Sequence, residues 1–392
     1  MMWALIVVSL WGQAEVPRPK TLVVVQANGK HKDIRLYDLR KGAKTFLTKT
    51  TAEKTALLCR TQRVLFVTGN EIRRVDAMKP GQETVIGSLP QELVTAVGSR
   101  LRHFLRWSPN GMLLAFPGST DILIKGVDSA VSYTLSPNPG VRVVHPVFWR
   151  PTEEEIAYLS QSDTQVLLNL HPITRVQPRL SVTVIQAKGT VTAADMHFSH
   201  DGKMLALNLD FQPEKGRIAR YFLLFDVGQG QPVALNPSWK IEKFHGFSLK
   251  GEIVLSGSVG GSMSVVYLNP KNVKNPQIRE HLLKREVYEY IPRLDLALLH
   301  TSGQKCEGRP RLIALNRHAQ DRRLLKWAEW TEILATDSTG IWGIFRAGGA
   351  CDDVHPALYL MRMDGTGLLD EMPKNRFSIL QTIAPEQVAI CD

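Results

Sequence analysis

The 392-residue chain is 44% hydrophobic and 22% charged, a balance that supports a large buried core and excludes a disordered or fibrous chain. Its formal net charge of +11 is compatible with anionic neighbours or with solubility alone, since Lys and Arg are scattered rather than massed. The four cysteines, Cys59, Cys306, Cys351 and Cys391, form no CxxC pair, which argues against common redox and zinc signatures and leaves disulfides open.

The only long apolar run is "WALIVVSLW", residues 3–11, followed by Gly12 and Ala14. Nine residues are too few to span a bilayer as a helix. With small residues behind it and a polar "EVPRPK" next, the run reads as a secretory signal cleaved after Ala14, leaving residues 15–392 as one domain. No second candidate for a membrane span follows.

From there on one pattern recurs: an aromatic or apolar anchor, a short polar turn often containing Gly, and an alternating apolar run. It is clear in "FLRWSPNGMLLAF" (104–116), "VFWRPTEEEIAYLS" (147–160), "MHFSHDGKMLALNL" (196–209) and "HGFSLKGEIVLSG" (245–257), and fainter in "YIPRLDLALLHT" (290–301) and "TDSTGIWGIF" (336–345). The outermost copies are "LLCRTQRVLFVTG" (57–69) and "QTIAPEQVAIC" (381–391). Taking Leu58, Trp107, Trp149, Phe198, Phe247, Tyr290, Thr336 and Thr382 as anchors, successive gaps are 49, 42, 49, 49, 43, 46 and 46 residues. Two further strand-like segments fall between anchors, and helical periodicity is nearly absent. About four short strands per unit, repeated many times, predict an all-β fold: a β-propeller, with eight blades favoured and seven the alternative. Residues 21–48 read as outer strands without inner partners and the C-terminal tail as inner strands without outer ones. Sharing one blade between the two ends closes the ring and removes free sheet edges.

"WSPNGMLLAF" and "FSHDGKMLALNL" resemble the repeat of TolB-type, WD40-like propellers, in which a Ser-Pro-Asp-Gly element closes the hairpin between the two inner strands. The resemblance covers the chain from about residue 20 onward and implies an exported propeller. It departs from that family in leaving no room for a separate α/β domain ahead of the ring. It is also unlike peptidases that join a similar propeller to an α/β-hydrolase, because no GxSxG element occurs.

Three histidines stand just ahead of anchors: His103 and His145 four residues before their Trp, His245 two before Phe247, all in one strand phase. Inner strands start at one mouth of the channel, so these three are candidate binding residues there, as a metal or acid–base cluster or as polar lining. His197 has the opposite phase, and His200, in the Pro position of its turn, is expected on an exposed hairpin.

Cys306 and Cys351 occupy equivalent loops of consecutive blades and are the favoured disulfide. Cys59 and Cys391 also fall in neighbouring blades if the ring closes this way. One ends an outward-bound strand and the other a returning one, which puts them toward opposite faces and makes their pairing the less favoured. "VGQGQP" (227–232) lacks the third Gly of a dinucleotide loop and fits a hairpin turn. The carboxylates of "TEEEIAY" are expected solvated, "RHAQDRRLLK" (317–326) an outer-strand turn, and "CDDVHP" and "MDGTG" are too short for calcium loops.

These readings favour an exported, noncatalytic binding or scaffolding propeller of the cell envelope. The expected partner is a protein or an anionic polymer; no cofactor, nucleic acid or membrane span is expected. The alternative is a metal-assisted polysaccharide lyase or hydrolase using His103, His145 and His245.

Overall fold

In the computed structural model the chain forms eight four-stranded antiparallel sheets. The structure describes residues 21–391 apart from 29–30, 39–43, 49–52, 138–139, 153, 234–239, 271–276, 282–284, 303–309, 317–320, 324–327, 338, 350, 352–356, 364–368 and 372–386. Blades 1 to 7 follow chain order, their first strands being Thr55–Arg60, Arg106–Trp107, Arg142–Trp149, Gly189–Phe198, Lys240–Phe247, Arg285–Ile291 and Trp330–Thr336. The first strands of neighbouring blades touch along most of the ring, which makes them the innermost strands around the channel. The expected anchors Trp107, Trp149, Phe198, Phe247 and Thr336 each end an innermost strand, and Tyr290 lies one residue from the end of its own.

Strands of this kind form because a blade is covered on both faces. Eight hydrophobic clusters hold the ring, one at each junction between consecutive blades. In Thr21–Asn28 the alternation is explicit: Leu22 and Val24 pack toward blade 7, while Val23 and Val25 pack toward blade 1. Successive side chains point to opposite faces of a sheet, so a strand between two neighbours can be buried at every position. That is why "LLAFP" (113–117) and "EIAYLSQ" (155–161) are buried throughout.

The repeated turn has one chemistry. In blade 2, Ser108 Oγ accepts from the Leu113 amide at 2.9 Å and donates to Asn110 Oδ1 at 2.7 Å, while Gly111 takes a φ of +72°. In blade 4, Ser199 Oγ accepts from the Met204 amide at 2.9 Å and donates to Asp201 Oδ1 at 2.7 Å, with Gly202 at φ +67°. Side-chain oxygens replace the missing backbone partners, and glycine alone meets no Cβ penalty at that φ. Arginines of the preceding blade lock two of these turns: Arg60 donates to the carbonyls of Ser108 and Pro109, and Arg150 to that of Gly202. His200 is exposed on its turn, as expected. Gly230, at φ +65° between the third and fourth strands of blade 4, makes "VGQGQP" a hairpin turn.

The carboxylates of "TEEEIAY" do not all face water. Glu155 is 1% exposed and shared by two guanidiniums, with Arg150 Nη1 at 3.0 Å and Arg179 Nε at 2.9 Å. The turn preceding blade 3's second strand carries Arg150 where blades 2, 4 and 5 carry Ser108, Ser199 and Ser248, and that buried cation needs a buried anion.

The ring closes through a blade shared by the two ends, as expected, in the order Val388–Cys391, Thr21–Asn28, His31–Asp38, Lys44–Phe46. The C-terminal contribution is its innermost strand: Val388–Cys391 pairs with Thr21–Val24 and touches the innermost strands of blades 1 and 7. This corrects the reading of the last copy, in which "VAIC" would follow an anchor at Thr382 as a second strand; Thr382 itself lies outside the described residues. It also corrects the expectation that Cys59 and Cys391 lie toward opposite faces. As an innermost strand, Val388–Cys391 runs in the same sense as Thr55–Arg60, so the two cysteines end up on the same side. Cys59 and Cys391 form a disulfide with their Cα atoms 5.0 Å apart. The expected Cys306–Cys351 pair involves Cys306, which lies outside the described residues, as does the expected signal, residues 1–14. Among the described residues, no helix is long and apolar enough to cross a membrane.

Candidate functional site

The anchors that mark the repeat also build its most distinctive cavity. Trp107, Trp149, Phe198, Phe247 and Tyr290, from five consecutive blades, line a chamber of about 690 Å³ at the channel mouth where the repeated turns lie. The residue immediately before each anchor lines it too: Arg106, Phe148, His197, Gly246 and Glu289. Because innermost strands run side by side around the channel, one position of the repeat becomes one ring of side chains. Asp195, Lys243 and His245 complete the polar wall, and His200 and Pro109 stand at the rim. A second chamber of about 740 Å³ shares Arg106, Trp107, Asp195 and Glu289 with the first and reaches across the channel to Cys59, Asp337 and Ala389.

Two N–H donors in the first chamber are buried and have no hydrogen-bond partner: Arg106 Nε and Trp107 Nε1. The equivalent tryptophan of the next blade shows the contrast, since Trp149 Nε1 donates to the Arg106 carbonyl at 2.9 Å. His197 Nε2, by contrast, has the carboxylate of Asp195 beside it, with Oδ2 at 3.0 Å. Leaving a buried donor unsatisfied costs about 1–3 kcal/mol. Two beside a single cavity therefore mark a place where acceptors are missing.

The electrostatics fit. Burial pushes the Arg106 guanidinium below its ordinary value, with Asp195 opposing; its guanidinium stacks 5.1 Å over the Phe148 ring. For Asp195 burial works upward, but His197, Lys243 and Arg106 outweigh it and hold the carboxyl below its usual range. Burial raises Glu289. Arg106 and Lys243 thus stand against Asp195 in the chamber, giving an anionic group two cations to meet.

The three histidines singled out from sequence are not displayed as one set. His245 lines the first chamber but is 8% exposed and shares a hydrogen bond with Ser256 Oγ at 3.1 Å; burial, with Lys243 and His197 nearby, drives it down to about 3. It is a neutral ring tied into its own blade. His103 does not belong to an inner strand at all. It sits on a short 3-10 helix, Gly98–Phe104, which takes up the chain ahead of the two-residue innermost strand of blade 2, and it lines the second chamber. Burial and the neighbouring Arg102, Arg106 and Arg100 lower it. His145 lies in the innermost strand of blade 3, and its side chain is outside the described ones. Among the described residues, no group of three or more His, Cys, Asp or Glu is arranged to hold a metal ion.

Sequence reasoning passed over Arg106, Asp195 and Glu289 and set His197 aside for its phase. The signal was present: reading down the position before each anchor yields Arg106, Phe148, His197, Gly246 and Glu289, a row that is chemically mixed where a structural repeat would be uniform.

No family model matches this chain, and no curated protein does. Among solved structures it is similar to dipeptidyl peptidase 4 of Porphyromonas gingivalis, with a TM-score of 0.57 and 12% identity over 92% of this chain and 60% of the peptidase. The chain thus spans less than two thirds of that protein's length. It is similar to the dihydro-heme d1 dehydrogenase NirN, with a TM-score of 0.50 and 15% identity over 91% of this chain and 75% of that one. TolB of Acinetobacter baumannii is a looser neighbour, with a TM-score of 0.37 and 12% identity over 77% and 79% of the two chains. At such identities likeness speaks for fold alone, and what it establishes with the sheet order is that this chain is a β-propeller of eight four-stranded blades.

Proposed function

We propose that this protein is an exported, noncatalytic binding propeller of the cell envelope, which holds a protein or an anionic polymer by an anionic group seated in the channel mouth. The observation that carries the reading is the pair of buried, unpartnered donors, Arg106 Nε and Trp107 Nε1, beside one chamber. A rigid ring presents such donors at fixed positions, so little ordering cost falls on binding. The Cys59–Cys391 bond is consistent with an oxidising compartment.

Retention of envelope components on the immobilised full chain tests it. Arg106→Met keeps the length of the stem and removes the charge and donors. It should weaken retention at least 10-fold, about 1.4 kcal/mol, with the melting temperature little changed. Retention equal to wild type for both Arg106→Met and His197→Ala would remove the chamber from the function.

A further inference from the structure

We propose that the first chamber is a subsite for a carboxylated sugar, one hexuronate unit of an acidic polysaccharide; this rests on the channel-mouth reading above and narrows its ligand. The walls offer two chemistries at once. Trp107, Trp149 and Phe198 are only partly buried, so each leaves ring surface open to the chamber they line. The negative face of an aromatic ring attracts weakly positive C–H groups, which a sugar ring presents on its faces. The unpartnered groups are both N–H donors, and sugar oxygens answer them.

The charge balance selects among anions. A carboxylate adds one negative charge beside Arg106 and Lys243, whereas a phosphate near −2 would bring twice that charge up to Asp195. Hydroxyl groups both donate and accept, so one sugar serves Arg106 Nε and Asp195 together. Gly246, at φ +142°, belongs to the same wall. At about 690 Å³ the chamber falls within the range of small-molecule sites. Because the second chamber shares Arg106, Trp107, Asp195 and Glu289, a polymer has somewhere to continue beyond the unit that is held.

Titration calorimetry on the full oxidised chain distinguishes the possibilities, with four probes: tetragalacturonate, its methyl ester, a tetraglutamate peptide and inorganic phosphate. The uronate should bind, the neutral ester at least 10-fold more weakly, and phosphate and peptide weaker than either. Trp107→Phe retains the ring and removes the N–H; it should weaken the uronate about 5-fold while leaving the melting temperature in place, and Arg106→Met should weaken it at least 10-fold. Equal affinity for acid and ester, or no uronate binding, overturns the proposal. Tetraglutamate binding more tightly than uronate, and lost in Arg106→Met, also overturns it but preserves the anionic-group reading; envelope retention that ignores Arg106 defeats that broader reading instead.

Discussion

Replacing both Cys59 and Cys391 by serine removes the bond that joins the first and last blades across 332 residues of chain. In the chain-entropy account a cross-link stabilises by restricting the unfolded ensemble, and for a loop of that length the expression gives about 5–6 kcal/mol. The native contribution is local: Cys391 is 1% exposed at the end of a four-residue strand whose other attachments are its pairing with Thr21–Val24 and the clusters on either side. Serine is close to cysteine in volume, so little cavity is created. A ring of this size that melts as one unit has an unfolding entropy near 0.8 kcal/mol per kelvin, from about 2.1 cal/mol/K per residue. The double serine variant should therefore melt about 7 °C lower by calorimetry. The double variant is preferable to a reductant, which would act on any other disulfide as well. A shift under about 1 °C would refute the reasoning, because it would mean that strand pairing alone holds the ring shut and that the unfolded chain gains nothing from release.

Two other outcomes follow from buried charge. Glu155→Gln removes the carboxylate shared by Arg150 and Arg179 and should lower stability by about 3 kcal/mol in urea denaturation; a loss under about 1 kcal/mol would mean that backbone acceptors suffice for both guanidiniums. His245 is held down to about 3, well below its value in an unfolded chain. Its stabilisation is thus present in full above about pH 6.5 and lost as pH falls toward 3, at up to about 1.4 kcal/mol per pH unit. Urea midpoints at pH 7 and pH 5 should differ more in wild type than in His245→Asn, and identical differences would exclude His245 as a source of acid sensitivity.

How far the candidate site was readable depends on the range of the interactions that build it. Trp107, Trp149, Phe198, Phe247 and Tyr290 were visible as the repeat's anchors, because an anchor followed by a Ser-x-Asx-Gly turn is a local pattern with local chemistry. Their convergence on one chamber was not, since it depends on five blades lying side by side. His103 misled for the same reason: its distance from Trp107 matches that of His145 from Trp149, yet a two-residue innermost strand and a 3-10 helix take it off the sheet. Glu155 misled in the other direction, because three adjacent carboxylates look solvated until Arg150 and Arg179 arrive from neighbouring segments.

The sequence by itself determined the four-stranded repeat, the turn between its inner strands, the near-absence of helix and the sharing of a blade between the two ends. All of these follow from period-two alternation and from glycine and short polar side chains at turns, which act over a few residues. Only the tertiary structure decided that the C-terminal segment enters as an innermost strand, and hence that Cys59 meets Cys391. It alone set Arg106 and Trp107 beside one cavity with N–H groups unpaired. The physical reason is ring closure: each blade buries its faces against its neighbours, so the lateral order of eight sheets, rather than any local preference, chooses which side chains meet at the channel.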